Sequence, residues 1–175
     1  MKVLDNFLPG EEFKTIHDFL MGPCIPWFYN HYVDYKDQIF DFFDLDNYQF
    51  VHSFYSGKGI DPLPNKDEFS EYFPLLDPIG IKLNWGKLLR VKANLNPRTS
   101  DIIKRKYHVD VEEKCKTSIF YLNTNNGYTE FEDGSKIESV SNRMVIFDSQ
   151  MKHTGTTCTN QKTRVLINFN YYENN

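Results

Sequence analysis

Thr163-Arg164-Val165-Leu166-Ile167-Asn168-Phe169-Asn170 alternates without a break. In an extended chain Val165, Ile167 and Phe169 fall on one face, and Arg164, Leu166, Asn168 and Asn170 on the other. The first face is plain core. The second sets a cation among apolar neighbours. Working outward, residues 87–95 read as a further strand, leading into a polar loop at Asn96-Pro97. Shorter strand-like segments fall near 103–111, 116–123, 128–131, 136–140 and 143–148. Asn125-Asn126-Gly127 and Asp133-Gly134 supply turns between them. Many short strands joined by Gly and Asn turns predict an all-β barrel or jelly roll, not alternating βα units.

The first third reads differently. Pro9-Gly10-Glu11-Glu12 looks like a helix start, and Phe13, Ile16, Phe19 and Leu20 follow at helical spacing until Gly22-Pro23. Aromatics dominate from Pro26 to Asp46: Trp27, Phe28, Tyr29, Tyr32, Tyr35, Phe40, Phe42 and Phe43. Residues 48–55 suit a strand. A loop with Gly57, Gly59, Pro62 and Pro64 follows, then a short helix over 66–76 ending before Pro78. With no linker or repeat, one domain over residues 1–175 is expected: 1–86 mainly helical and loop, 87–172 the β core. Trp27 and Trp85 are expected to pack the helical layer onto that core.

Composition agrees with a folded domain of this size. Of 175 residues, 40% are hydrophobic and 25% charged, which excludes the disordered class. The net charge of −4 argues against wholesale nucleic-acid wrapping. No apolar run is long enough for a bilayer span, and Asp5 comes too early for a secretory leader. Three cysteines without a close pair predict a reducing, cytoplasmic setting rather than a disulfide scaffold.

His108-Val109-Asp110 is the first motif with chemistry in it. In a strand, residues i and i+2 share a face, so a ring nitrogen and a carboxylate would point the same way. With five histidines, a chance His-x-Asp pair is expected about one time in four, so the pair alone decides little. His153, beyond the apolar run Met144-Val145-Ile146-Phe147, offers a third ligand. Two imidazoles and a carboxylate make a facial triad, which leaves open positions on an octahedral Fe(II). Arg164 adds weight. A partly buried guanidinium needs an anion, and its fork suits a carboxylate. The competing reading is an internal salt bridge with one of the 24 acids.

In order and spacing, these residues resemble the Fe(II)- and 2-oxoglutarate-dependent dioxygenases, particularly the prolyl-hydroxylase-like branch. The family pattern is His-x-Asp, a distant His, and a basic residue about ten positions later. Here those are His108, Asp110, His153 and Arg164. Ile119-Phe120-Tyr121-Leu122-Asn123 looks like the branch's next strand, and Gly127-Tyr128-Thr129-Glu130-Phe131 like its Thr-x-Phe hairpin. Asn142-Arg143-Met144-Val145-Ile146-Phe147-Asp148 looks like the strand before the second histidine. The resemblance covers roughly residues 88–172. Three departures stand out: the loop Asn96-Pro97-Arg98-Thr99-Ser100-Asp101 with the run Lys104-Arg105-Lys106, Gly127-Tyr128 where the hairpin expects Gly-Gly, and Val165-Leu166 after Arg164.

The resemblance implies a double-stranded β-helix (a cupin-like jelly roll) with N-terminal helices on the sheet. It implies Fe(II) on His108, Asp110 and His153. The distal carboxylate of 2-oxoglutarate would lie on Arg164 and the Tyr121 hydroxyl, with Asn94 and Asn168 as further cosubstrate residues. O2 is the oxidant, and ascorbate an accessory reductant. The implied activity is hydroxylation, with peptidyl proline as the favoured substrate and a free amino acid or nucleobase as alternatives. A non-catalytic cupin-like metal barrel or an interaction protein is the competing reading. Lys104, Arg105 and Lys106 read as a solvated face or as a contact for an acidic partner.

Overall fold

The structure is a computed structural model and describes residues 1–31, 33, 46–57 and 68–174. Among the described residues its framework is an antiparallel major sheet built from β1 (Lys2–Leu4), β2 (Phe28–Asn30), β3 (Gln49–Ser56), β4 (Glu68–Phe69), β5 (Trp85–Pro97), β6 (Lys116–Tyr121), β9 (Arg143–Asp148) and β11 (Thr163–Glu173). The strand order is β1-β9-β6-β11-β5-β3-β2, with β4 beside β3. A minor sheet of β10 (His153–Gly155), β7 (Tyr128–Phe131) and β8 (Lys136–Glu138) lies apart from that path.

Alternation along β11 divides the molecule as the sequence predicts. Val165, Ile167 and Phe169 join Val91 and Ala93 of β5, Phe120 of β6 and Met144 of β9 in the main core. Helix α1 (Gly10–Met21) adds Ile16 and Leu20, one helical turn apart, and α2 (Asp77–Leu83) adds Ile79 and Leu83. Trp27 and Trp85 pack against this same layer. The other face of the major sheet builds a smaller cluster in which Ile119, Tyr121, Val145, Phe147 and Leu166 meet Phe131 of the minor sheet. The architecture is an all-β core with a small helical layer.

Three expectations need correction, and some residues the sequence singled out lie outside the described ones. The stretch 103–111 is not a strand. It makes only two isolated antiparallel bridges, Lys104 to Thr156 and His108 to His153. Ile103, Tyr107, Val109 and Val111 do fall at alternate positions, but the segment is held by side-chain contacts described below and not by a strand ladder. The helix expected over 66–76 is displaced. Its first two residues lie outside the described residues, Glu68–Phe69 is a strand, and a 3-10 turn over Phe73–Leu76 leads into α2. Pro78 sits in the first turn of α2, where its missing N–H has no helical partner to lose, so it opens a helix instead of closing one. Asn84 ends α2 in the left-handed region at φ 51°. The first 86 residues also carry more strand than expected, because β1 pairs with β9 and β2 with β3. Finally, the aromatic-segment residues Tyr32, Tyr35, Phe40, Phe42 and Phe43, and the loop residues Gly59, Pro62 and Pro64, lie outside the described residues. No helix among the described residues is long and apolar enough to cross a membrane.

Candidate metal and carboxylate site

The inward face of the major sheet is polar where its outward face is core. Register aligns Arg164 with Asn96, Leu166 with Asn94, Asn168 with Lys92 and Asn170 with Arg90 across β11 and β5. On the far side of β11, Leu166 faces Tyr121 and Asn168 faces Ile119. A cavity opens over this surface, and its lining includes His108, Asp110, His153, Arg164, Asn94 and Asn168.

His108 and His153 are direct antiparallel neighbours. Each backbone N–H donates to the other's carbonyl, at 2.9 and 3.0 Å. That bridge, not a continuous strand, brings the two rings together, with centroids 5.0 Å apart. Asp110 follows in a bend, with His108 Nε2 3.8 Å from its Oδ1 and His153 Nε2 3.9 Å from its Oδ2. One donor atom from each of the three residues lies within 4.8 Å of the others.

Both rings have their Nδ1 occupied. His108 Nδ1 is 3.1 Å from the Lys106 carbonyl and His153 Nδ1 is 3.1 Å from that of Met151. A carbonyl only accepts, so each Nδ1 carries the hydrogen and each Nε2 presents a lone pair toward Asp110. Phe147 packs edge-on against His153 at 4.9 Å. Burial pushes the His153 pKa down, which keeps its ring neutral and able to ligate. For Asp110, burial works to raise the pKa. The charge of Arg90, the largest lowering influence, outweighs burial and holds the carboxyl well below the usual range. Two imidazoles with convergent Nε2 atoms and an ionised carboxylate fit a divalent metal of the Fe(II) type.

The segment carrying His108 is anchored from the minor sheet. Glu130 on β7 accepts from the Tyr107 hydroxyl at 2.5 Å and pairs with Lys104 at 3.1 Å and Lys136 at 3.3 Å. The Tyr107 hydrogen bond, then that of Lys104, lowers the Glu130 carboxyl to about 2. The basic run therefore divides: Lys104 is committed to Glu130, Arg105 lines the cavity, and Lys106 is exposed.

Arg164 lies at the other end of the cavity and is 1% exposed. Its Nε donates to Ser139 Oγ at 2.7 Å, Nη1 to the Thr156 carbonyl at 3.3 Å, and Nη2 to Thr129 Oγ1 at 3.1 Å. Its guanidinium lies 5.6 Å from the centre of the Tyr121 ring. All these partners are neutral. Among the described residues no carboxylate pairs with it, so the internal salt bridge that the sequence left open is not formed. Burial pushes its pKa down, as expected for a cation without a counter-anion. The Tyr121 hydroxyl donates to the same Thr129 Oγ1 at 2.8 Å, so Tyr121, Thr129 and Arg164 form one cluster.

Gly127 makes room for this arrangement. A Cβ there would come within 2.6 Å of Arg164 Cδ and 2.7 Å of the Thr157 carbonyl oxygen. Gly127→Ala is therefore expected to push Arg164 off its position. The expected outcome is about tenfold or greater loss of affinity for a dicarboxylate at this end, since small misplacements are amplified, with metal affinity unchanged. Parallel titrations of metal and 2-oxoglutarate check it.

Asn168 sits beside the triad, its Nδ2 donating to Asp110 Oδ2 at 3.3 Å while its buried Oδ1 has no hydrogen-bond partner among the described residues. Asn94 lines the cavity between the two ends. Sequence reasoning missed Arg90, whose Nη2 is 3.0 Å from Asp110 Oδ1, and the roles of Thr129 and Ser139 around Arg164. The signal for Arg90 was present: Arg90, Lys92, Asn94 and Asn96 form a polar face opposite Val91, Ala93 and Leu95, the same pattern that singled out β11. His52 is structural, held between the Pro26 carbonyl and Ser70 Oγ at 2.9 Å each.

No protein-family model matches the chain, and no curated protein matches it. Solved structures do. A 2OG-Fe(II) oxygenase family oxidoreductase from Burkholderia pseudomallei aligns with TM-score 0.68 at 12% identity, over 99% of this chain and 85% of that one. A prolyl hydroxylase from Trichoplax adhaerens, in complex with a hypoxia inducible factor peptide fragment, gives 0.61 at 12%, over 98% and 83%. A Pseudomonas putida prolyl-4-hydroxylase gives 0.58 at 13%, over 99% and 92%. Identities this low speak for fold alone, and over nearly its whole length the chain has the fold of the 2OG-Fe(II) oxygenases and prolyl hydroxylases.

Proposed function

We propose that the chain is an Fe(II)- and 2-oxoglutarate-dependent hydroxylase, a single jelly-roll oxygenase domain over residues 1–175. One observation carries the reading. A buried guanidinium with no carboxylate partner among the described residues lines the same cavity as two histidines and an aspartate with convergent donor atoms. A metal triad alone would suit any cupin-like barrel. A triad facing a cation that lacks an anion asks for a ligand with a metal-binding head and a carboxylate tail, and 2-oxoglutarate is such a molecule.

In this reading His108 Nε2, His153 Nε2 and Asp110 hold the metal. Arg164 takes the distal carboxylate through its fork, with the Tyr121 and Thr129 hydroxyls beside it. Asn94 and Asn168 flank the cosubstrate. The metal would supply O2 activation, and the overall change is substrate C–H plus O2 plus 2-oxoglutarate to C–OH plus succinate plus CO2. The protein's share is to orient, to keep both imidazoles in the ligating tautomer, and to exclude water from the Arg164 end.

Peptidyl proline is the first substrate to test, in keeping with the fold shared with prolyl hydroxylases. Protein loaded with Fe(II), 2-oxoglutarate and ascorbate under air is expected to release succinate slowly, and faster with an accepted Pro-containing peptide, which gains one oxygen. Absence of succinate from metal-loaded, folded protein across peptides, amino acids and nucleosides would overturn the enzymatic reading in favour of a metal-binding barrel.

A further inference from the structure

The carboxylate of the metal triad is already paired. Arg90 Nη2 lies 3.0 Å from Asp110 Oδ1, with the two side chains only 11% and 4% exposed, so solvent and salt screen the pair weakly. Arg90 Nε has no hydrogen-bond partner among the described residues, so Asp110 is the contact that commits this guanidinium. Arg90 is not needed to aim the carboxylate, because Asn168 Nδ2 holds the other oxygen from β11. What Arg90 adds that Asn168 does not is charge.

That charge has a consequence for filling the site. With Asp110 offset by Arg90, and Arg164 without a carboxylate partner, the described residues give the cavity a net positive charge before any metal arrives. Lys92 and Arg105 also line it, but each makes other interactions and neither enters the count. A divalent cation entering alone adds charge of the same sign in a poorly screened place. A dianionic 2-oxo acid entering with it removes two units and pairs Arg164. We propose that Arg90 is an electrostatic coupling residue, making metal occupancy depend on the 2-oxo diacid and suppressing metal binding in its absence. The inference rests on the reading of the triad and Arg164 given above. It adds a regulation to that site: the empty protein is a poor metal binder, and the two ligands load together. Arg90 acts through the charge it sets on Asp110 and is not a catalytic residue.

The test is anaerobic titration with Mn(II), following free Mn(II) by its electron paramagnetic resonance signal, with and without saturating 2-oxoglutarate. Arg90→Gln keeps a hydrogen-bond donor and removes the charge, Arg90→Met is a second neutral replacement should the first not fold, and Arg90→Lys retains the charge. The neutral variants are expected to bind Mn(II) alone about tenfold more tightly than wild type, and to lose about the same factor from the gain that 2-oxoglutarate confers, within the usual range of coupling between sites. Arg90→Lys is expected to resemble wild type. Direct chelation of metal by the 2-oxo acid is common to all variants, so the difference between them reports Arg90. Neutral variants that bind Mn(II) more weakly than wild type, or with undiminished coupling, would show Arg90 to be only a strut for Asp110. A wild type that binds no Mn(II) even with 2-oxoglutarate would instead sink the metal-site reading itself.

Discussion

Arg164→Ala is expected to weaken 2-oxoglutarate binding by tens-fold to thousands-fold while leaving the metal site intact. The wild-type guanidinium is buried, held by three neutral acceptors, and lacks an anion among the described residues. Losing a buried, charge-assisted contact of this kind costs about 2–5 kcal/mol, which sets the range. Arg164→Lys should fall between the two, because an ammonium supplies charge without the planar fork that reaches Ser139, Thr129 and a carboxylate together. A short 2-oxo acid without the distal carboxylate should bind wild type poorly and be indifferent to the change. Anaerobic titration of metal-loaded protein, read by the metal-to-ligand absorbance band, measures all three. Equal affinity in wild type and Arg164→Ala, with both folded and metal-loaded, would make Arg164 a structural residue that ties β11 to Ser139 and Thr129.

Much of this architecture is legible in the sequence because β-strand alternation is a local property. The Arg164 to Asn170 face, and the bounds of β7 and β9, follow from side chains that repeat every second residue. The segment 103–111 misled for the same reason in reverse. Its conformation is set by Glu130 on β7, distant in sequence beyond β6, which gathers Tyr107 and Lys104 and leaves His108 to bridge to His153. No window on 103–111 contains that information. Pro78 misled because proline both closes and opens helices, and only the chain before it distinguishes the two. Strands β1 and β2, three residues each, are too short to show a period. At the site, the spacing of His108, Asp110 and His153 could be read. Arg90 could not be assigned to Asp110, because the pairing needs the register of β5 against β11, with Arg90 opposite Asn170 and Lys92 opposite Asn168.

Asp110→Ala is expected to have the second large effect, on metal binding and on the fold together. Removing a carboxylate that merely supports a metal ligand commonly loses 10- to 100-fold in affinity, so losing the ligand itself should exceed about 100-fold. Two imidazoles then remain, with Arg90 beside them and no charge to offset the incoming cation. The loss of Asp110 also strands Arg90, which is 11% exposed and has Asp110 as its ion-pair partner. Breaking one side of such a pair costs about 3 kcal/mol or more, equivalent to a drop of about 6–12 °C in Tm for a chain of this length. Asp110 is held ionised chiefly by Arg90, with its folded-state pKa below the unfolded value. Its contribution to stability is therefore fully present above about pH 4, and is lost as pH falls toward the folded-state value. The metal-free wild type should accordingly approach the stability of the mutant in acid, and the difference in Tm between them should narrow below about pH 4. The double variant Asp110→Ala with Arg90→Met should recover most of the stability and none of the metal affinity, because it removes the stranded charge without restoring the ligand. Calorimetry across pH, with an Fe(II) or Mn(II) titration of each variant, separates the two roles. Unchanged metal affinity in Asp110→Ala would remove the residue from the metal site and leave it as a partner of Arg90 alone.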